Sequence, residues 1–139
     1  MNILVVDDDT LIRDTVVKYG RRDGFEVDQA ANGFEAIELC EQKVYDMILL
    51  DIMMPRMDGY TACKKIRALQ QPPIIMLSAL GQEYDKLLGF DLGISDYLVK
   101  PFSFKELMMR IKALTRLAAG NCEAITTGEL KIDLMARSV

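Results

Sequence analysis

The chain has 139 residues, half of them hydrophobic, and a formal net charge of -4, which suits one domain with a core plus a short extra piece and excludes a disordered chain. No apolar stretch approaches the ~20 residues needed to span a bilayer, and the acidic balance argues against the chain itself gripping nucleic acid. There is no histidine, so neither a histidine base nor a phosphohistidine carrier is available, and the three cysteines lack the spacing of a disulfide frame or a zinc site.

The first predicted element is the unbroken apolar strand Ile3-Leu4-Val5-Val6, which runs into Asp7-Asp8-Asp9. An ordered strand so near the start leaves no room for a secretory leader, and a cytoplasmic location is expected. Thr10 to Arg22 read as a helix with Leu11, Ile12, Val16 and Tyr19 inward, Asp9 as its N-cap and Gly24 as its stop. Residues 25–30 form a weaker, alternating strand. After the turn at Asn32-Gly33, a second helix spans Phe34 to Gln42 with Ala36, Ile37 and Cys40 inward. Cys40 and Cys63 read as small core residues. The run Met47-Ile48-Leu49-Leu50 then ends at Asp51 and is followed by Ile52-Met53-Met54-Pro55 and Met57-Asp58-Gly59. A third helix covers Tyr60 to Leu69. Strand Ile74-Ile75-Met76-Leu77 runs into Ser78-Ala79, and a short fourth helix is predicted from Glu83 to Leu92. Strand Tyr97-Leu98-Val99 runs into Lys100-Pro101. The fifth helix is predicted from Phe104 to Ala118, with Phe104, Leu107, Met108, Ile111 and Leu114 on one face.

Five strand–helix units in alternation predict an α/β fold: a doubly wound parallel sheet with helices on both faces. Strands 1, 3 and 4 are unbroken apolar runs, as strands buried on both faces are; strands 2 and 5 are not, and belong at the edges. That gives the flavodoxin-like order 2-1-3-4-5, whose site lies at the carboxyl ends of the strands, where the order reverses between strands 1 and 3. Asp7, Asp8 and Asp51 end those two strands.

Two carboxylates about 4 Å apart repel by roughly 4 kcal/mol at an effective dielectric near 20. Three ionised groups therefore need a cation, or one must take up a proton. Magnesium suits an open, oxygen-only site, and it neutralises charge on a phosphoryl group in transfer. Lys100 could pair with a phosphate oxygen and Ser78 could bond another. Taken singly, each residue has a plainer reading: the acids as a helix cap, Ser78 as a turn former, Lys100 as a solvated amine. Four core strands delivering compatible groups to one edge make the functional reading the better one.

These residues carry a resemblance. Over residues 1–119 the chain resembles the receiver domain of two-component response regulators, on Ile3-Leu4-Val5-Val6-Asp7-Asp8-Asp9, Leu49-Leu50-Asp51-Ile52-Met53-Met54-Pro55, Met57-Asp58-Gly59, Met76-Leu77-Ser78-Ala79, Gly93-Ile94-Ser95-Asp96-Tyr97 and Val99-Lys100-Pro101-Phe102. The resemblance implies that Asp51 accepts a phosphoryl group from a sensor histidine kinase. It implies Mg²⁺ held by Asp8, Asp51 and the Met53 backbone carbonyl, with Asp7 acting through water, and phosphoryl oxygens held by Ser78 and Lys100. It implies a cis Lys100–Pro101 bond, and a switch in which Ser78 moves inward and Tyr97 follows, altering the face formed by the fourth helix, fifth strand and fifth helix.

That face carries Lys86, Asp91, Asp96, Glu106, Arg110 and Arg116. Their placement is similar to that in OmpR/PhoB-type regulators and implies a symmetric dimer in which Lys86 meets Glu106, Asp91 meets Arg110, and Asp96 meets a base near Arg116. Glu106 and Arg110 are also four apart on one helix and could simply pair within it. Residues 120–139 read as a linker followed by the alternating strand Glu129-Leu130-Lys131-Ile132-Asp133-Leu134, similar to the opening strand of a winged-helix effector. No recognition helix follows before Val139, so DNA contact is expected only through a C-terminal domain beyond this sequence. A haloacid-dehalogenase-type phosphatase also uses a strand-end aspartate and Mg²⁺, but it places a second acid two residues on, where this chain has Met53.

Hydrolysis of a phosphorylated Asp51 needs water in line with the bond to phosphorus. Met53 and Leu80, two residues beyond Asp51 and Ser78, can shield that water but cannot orient it, so loss of the phosphoryl group is expected to be slow. Met53→Asn should lose it several-fold faster than the parent in a time course of the labelled protein; a mutant no faster removes the argument.

Overall fold

The computed structural model describes the backbone of residues 1–79 and 91–127 and the side chains of residues 1–79 and 91–116. Its elements are β1 (Asn2–Val6), α1 (Thr10–Arg22), β2 (Glu26–Ala30), α2 (Gly33–Gln42), β3 (Met47–Asp51), α3 (Gly59–Arg67), β4 (Ile74–Ser78), β5 (Asp96–Val99) and α4 (Phe104–Thr127). All five strands are parallel, in the order β2-β1-β3-β4-β5. The predicted helix at 83–92 falls, up to residue 90, outside the described residues.

Burial explains the order. Every residue of β3 and β4 is buried, and all of β1 except its first residue. β2 buries only Val27 and Ala30, one toward each core, and β5 buries only Leu98, as edge strands can. Because side chains alternate across a strand, each central strand feeds two cores. Leu4, Val6, Ile48, Leu50, Ile74 and Met76 pack with Ala36 and Cys40 of α2 and Ala62, Cys63 and Ile66 of α3. Ile3, Val5, Met47, Leu49, Ile75 and Leu77 pack with Val16 and Val17 of α1 and Leu107, Met108 and Ile111 of α4. Cys40 and Cys63 are buried thiols, and burial pushes the Cys40 thiol up to about 11, well away from a reactive thiolate.

The helix starts are fixed by their caps. Asp9 accepts from Leu11 N at 2.9 Å, Asn32 from Glu35 N at 2.9 Å, and Asp58 from Thr61 N at 2.9 Å. Two expectations need correction. Leu11 is 74% exposed; the buried stripe of α1 is Val16, Val17 and Gly20 with Ile12 against it, and Leu11 sits a hundred degrees round the helix from Ile12. The last helix does not end at Ala118 but continues to Thr127, so the predicted linker at 120–123 is helical. A single interior Gly120 costs only about 1 kcal/mol relative to alanine, too little to end a helix by itself.

The loop from β3 to α3 returns tightly onto the strand end. Ile52 N donates to Leu77 O at 3.0 Å and Gly59 N donates to Ile52 O at 2.7 Å. A Cβ on Gly59 would run into the Asp51 carbonyl oxygen and sit 2.8 Å from Ile52 Cα. Since both obstacles are backbone, they cannot turn aside as a side chain would. Gly59→Ala should therefore destabilise the domain by about 2–3 kcal/mol in urea unfolding; unchanged stability would show that the loop is free to move.

Candidate functional site

The carboxyl end of the sheet gathers its groups where the strand order reverses. Asp7 follows β1 and is fully buried; Asp51 closes β3 and is 3% exposed; Asp8 faces solvent. One carboxylate oxygen from each of the three lies within 4.8 Å of the others. From the end of β5, the Lys100 ammonium reaches across to Asp7 Oδ2 at 2.9 Å and Asp51 Oδ2 at 3.4 Å. The Lys100–Pro101 bond is cis, as the resemblance implied. Ser78, at the end of β4, is fully buried, and its Oγ has no hydrogen-bond partner among the described residues.

Backbone contacts hold these positions. Asp7 N donates to Ala30 O at 3.2 Å, extending the β1–β2 ladder by one bond. Asp7 Oδ1 accepts from Asp9 N at 2.9 Å, while Oδ2 has the ion pair with Lys100 but no hydrogen bond of good geometry. Met53 N donates to Asp51 Oδ1 at 3.3 Å, and Lys100 N donates to Ser78 O at 2.7 Å.

The electrostatics follow from burial. Asp51 is pushed up to about 7, first by desolvation and then by the Asp7 charge; Lys100 and the Met53 N–H pull the other way and lose. Lys100 is raised above its ordinary value: burial alone would lower it, but the close contact with Asp7 and the two carboxylate charges outweigh that. One amine thus only partly compensates the acids. The donor set is oxygen-only and anionic, two buried groups and one solvent-facing group within a few ångströms, and it is under-neutralised. Those features fit a hard divalent cation that keeps some of its water. The orphaned Ser78 Oγ is, in turn, a free donor for an anionic oxygen placed beside Asp51.

The remaining expected residues are placed as follows. Tyr97 is half-buried against the core, and its hydroxyl lies 3.3 Å from that of Tyr60. The Met53 side chain is 63% exposed. Arg110 pairs within its own chain with Asp96 and, at 3.0 Å, with Glu106; the link to Asp96 was not foreseen. Asp91 and Arg116 are exposed. Lys86 and Leu80 lie outside the described residues. Sequence reasoning also passed over Arg13, whose Nη1 donates to the Asp7 carbonyl at 2.7 Å. A basic residue in the first turns of an amphipathic helix reads as a solvated position, and spacing gave no signal for it.

A doubly wound parallel sheet in this strand order, with acids at its switch point and an amine and a hydroxyl at neighbouring strand ends, defines a flavodoxin-like α/β fold with its site at the carboxyl edge. Comparison with known proteins makes that specific. The family model of the response regulator receiver domain matches residues 3–112, and the chain belongs to that family. It is 48% identical over 117 residues to the transcriptional regulatory protein ResD of Bacillus subtilis, an alignment covering 84% of this chain and 49% of that protein. It is 48% identical over 114 residues to the transcriptional regulatory protein SrrA of Staphylococcus aureus, covering 82% and 47%. The chain thus spans about half the length of the curated relatives it matches. Among solved structures, the receiver domain of the Francisella response regulator 1452 superposes with a TM-score of 0.75 at 36% identity, covering 84% of this chain and 98% of that one.

The raised Asp51 has a consequence for stability. Its folded value near 7 lies above the ordinary 3.8, so ionising it works against folding increasingly as pH rises from about 4 through 7. Asp51→Asn removes that charge while Asp7 still pairs with Lys100. Without divalent ions, the variant should be more stable than the parent by roughly 2 kcal/mol at pH 8, with a smaller gain at pH 5. Melting curves at the two pH values test this, and a loss at pH 8 contradicts it.

Proposed function

We propose that this domain receives a phosphoryl group on Asp51 in a Mg²⁺-dependent reaction and passes the change to its β5–α4 side. The observation that carries the reading is the convergence of four strand ends: three carboxylates with oxygens within 4.8 Å of one another, the Lys100 ammonium between two of them, and a buried Ser78 hydroxyl with no partner among the described residues. Asp8, Asp51 and the Met53 carbonyl would hold the cation, with Asp7 acting through water. When bound, the cation supplies neutralisation of the charge on the transferring group. The residues do the rest. The buried Asp51 presents a carboxylate oxygen for in-line attack, Lys100 moves from its paired acids to a phosphoryl oxygen, and Ser78 donates to another. Filling the Ser78 bond draws its side chain toward Asp51, and Tyr97, packed on the same core, takes the vacated space.

The donor is a sensor histidine kinase, and the parent protein is an OmpR/PhoB-type transcription regulator. The receiver-domain family match supports the first, and the printed names of the two relatives, transcriptional regulatory proteins, support the second. Residues 120–139 lead into a winged-helix DNA-binding domain. Phosphorylation favours a homodimer through Lys86, Asp91, Asp96, Glu106, Arg110 and Arg116. In the single chain Arg110 is already held by Asp96 and Glu106, so a dimer of this kind exchanges those exposed pairs for cross-subunit ones.

Incubation with acetyl phosphate and Mg²⁺, followed by intact-mass measurement, should add one phosphoryl group per chain. The label should be absent in Asp51→Asn and after chelation. The labelled parent should sediment as a dimer and labelled Glu106→Lys as a monomer. Catalytic turnover of phosphomonoesters would instead indicate a phosphatase of the haloacid-dehalogenase type, and labelling without Mg²⁺ would remove the cation from the scheme.

A further inference from the structure

We infer that Arg13 is a positioning residue for the cation site: its guanidinium fixes the peptide joining Asp7 to Asp8 and so holds the Asp8 carboxylate beside Asp51. The inference rests on the magnesium-dependent reading above. Asp8 is the one member of the acidic trio that faces solvent, and packing alone does not confine it. Its place depends on the peptide plane before it. The peptide before Asp7 is held through the Asp7 N–H, bonded to Ala30 O at 3.2 Å, and the peptide from Asp7 to Asp8 through the Asp7 carbonyl, bonded to Arg13 Nη1 at 2.7 Å. Arg13 is itself aimed by two further bonds, from Nε to Gln29 Oε1 at 3.2 Å and from Nη2 to Thr10 Oγ1 at 3.3 Å. One planar fork therefore ties the end of β1 to the first turn of α1 and to β2. Lysine has the charge but not the fork, and cannot make these three bonds in one plane.

Charge and geometry predict opposite signs, which makes the role testable. A guanidinium close to a cation site repels the cation, so if Arg13 acted only as a charge, its removal would tighten binding. If it positions Asp8, its removal weakens binding in spite of the lost repulsion. Outer residues that orient metal ligands typically account for about 10–100-fold in affinity.

The test is Mg²⁺ titration calorimetry on the unphosphorylated chain, comparing the parent, Arg13→Gln and Arg13→Lys, with circular dichroism to confirm folding. Both variants should bind Mg²⁺ about tenfold more weakly. Labelling by acetyl phosphate should slow at limiting Mg²⁺ and return to the parent's rate at saturating Mg²⁺, a split that a general loss of folding would not produce. Tighter or unchanged binding in Arg13→Gln overturns the inference while leaving the cation reading intact. So does parental affinity in Arg13→Lys, which decides alone if the glutamine variant does not fold. A parent that takes up no Mg²⁺ defeats the cation reading itself, and this inference with it.

Discussion

The structure depends on one unfavourable arrangement being tolerated. Asp7 and Asp51 are removed from water at the ends of neighbouring central strands, and the only cation described between them is Lys100, at 2.9 and 3.4 Å. Burial strengthens the attraction to the amine, and it strengthens the repulsion between the acids and the cost of desolvation as well. That Asp51 is driven toward neutrality shows which contribution is larger. The fold bears this because the positions are set by backbone: parallel ladders fix the strand ends, and the chain leaving each strand is bonded at once to a neighbour, through Asp7 N, Ile52 N and Lys100 N. The acids are crowded because the sheet is rigid there.

Most of this was legible in the residues. Unbroken apolar runs against interrupted ones separated the central strands from the edges, and the strand order bears that out, although β2 does not alternate: its buried residues, Val27 and Ala30, are three apart. Four strand ends with compatible chemistry gave the site before any coordinates. The resemblance supplied what spacing could not, the cis bond before Pro101. Illegible were the long side chains that reach backbone carbonyls of distant segments. Arg13 grips the end of β1; Arg67 donates to Pro72 O, Leu92 O and Gly93 O at 2.6, 2.7 and 2.9 Å, tying α3 to the entries of β4 and β5. Such bonds have no period, and a basic residue on a helix looks the same whether it is solvated or clasping a loop. Leu11 was misplaced because an apolar residue in a first turn need not lie on the helix's buried stripe.

The two cores explain how an event at the strand ends can be felt at the surface. β1, β3 and β4 each place alternate residues in opposite layers, so a shift of one strand end is shared between α2 and α3 on one side and α1 and α4 on the other. Close-packed interiors do not absorb such shifts by compression. They answer by exchanging one arrangement for another at the least constrained margin, and β5 is the edge strand with only Leu98 fully buried.

Ser78 ends β4 with a buried hydroxyl that has no partner among the described residues. A buried donor without an acceptor costs a folded protein about 1–3 kcal/mol, and sequences drifting toward greater robustness would be expected to fill or delete it. A serine there, at the end of an otherwise apolar strand and at the edge that carries the acidic trio, suits a group placed for chemistry rather than for packing. Under the phosphoryl-accepting reading proposed above, an anionic oxygen beside Asp51 would meet that hydrogen-bonding capacity, and the bond gained would add to the drive for the rearrangement.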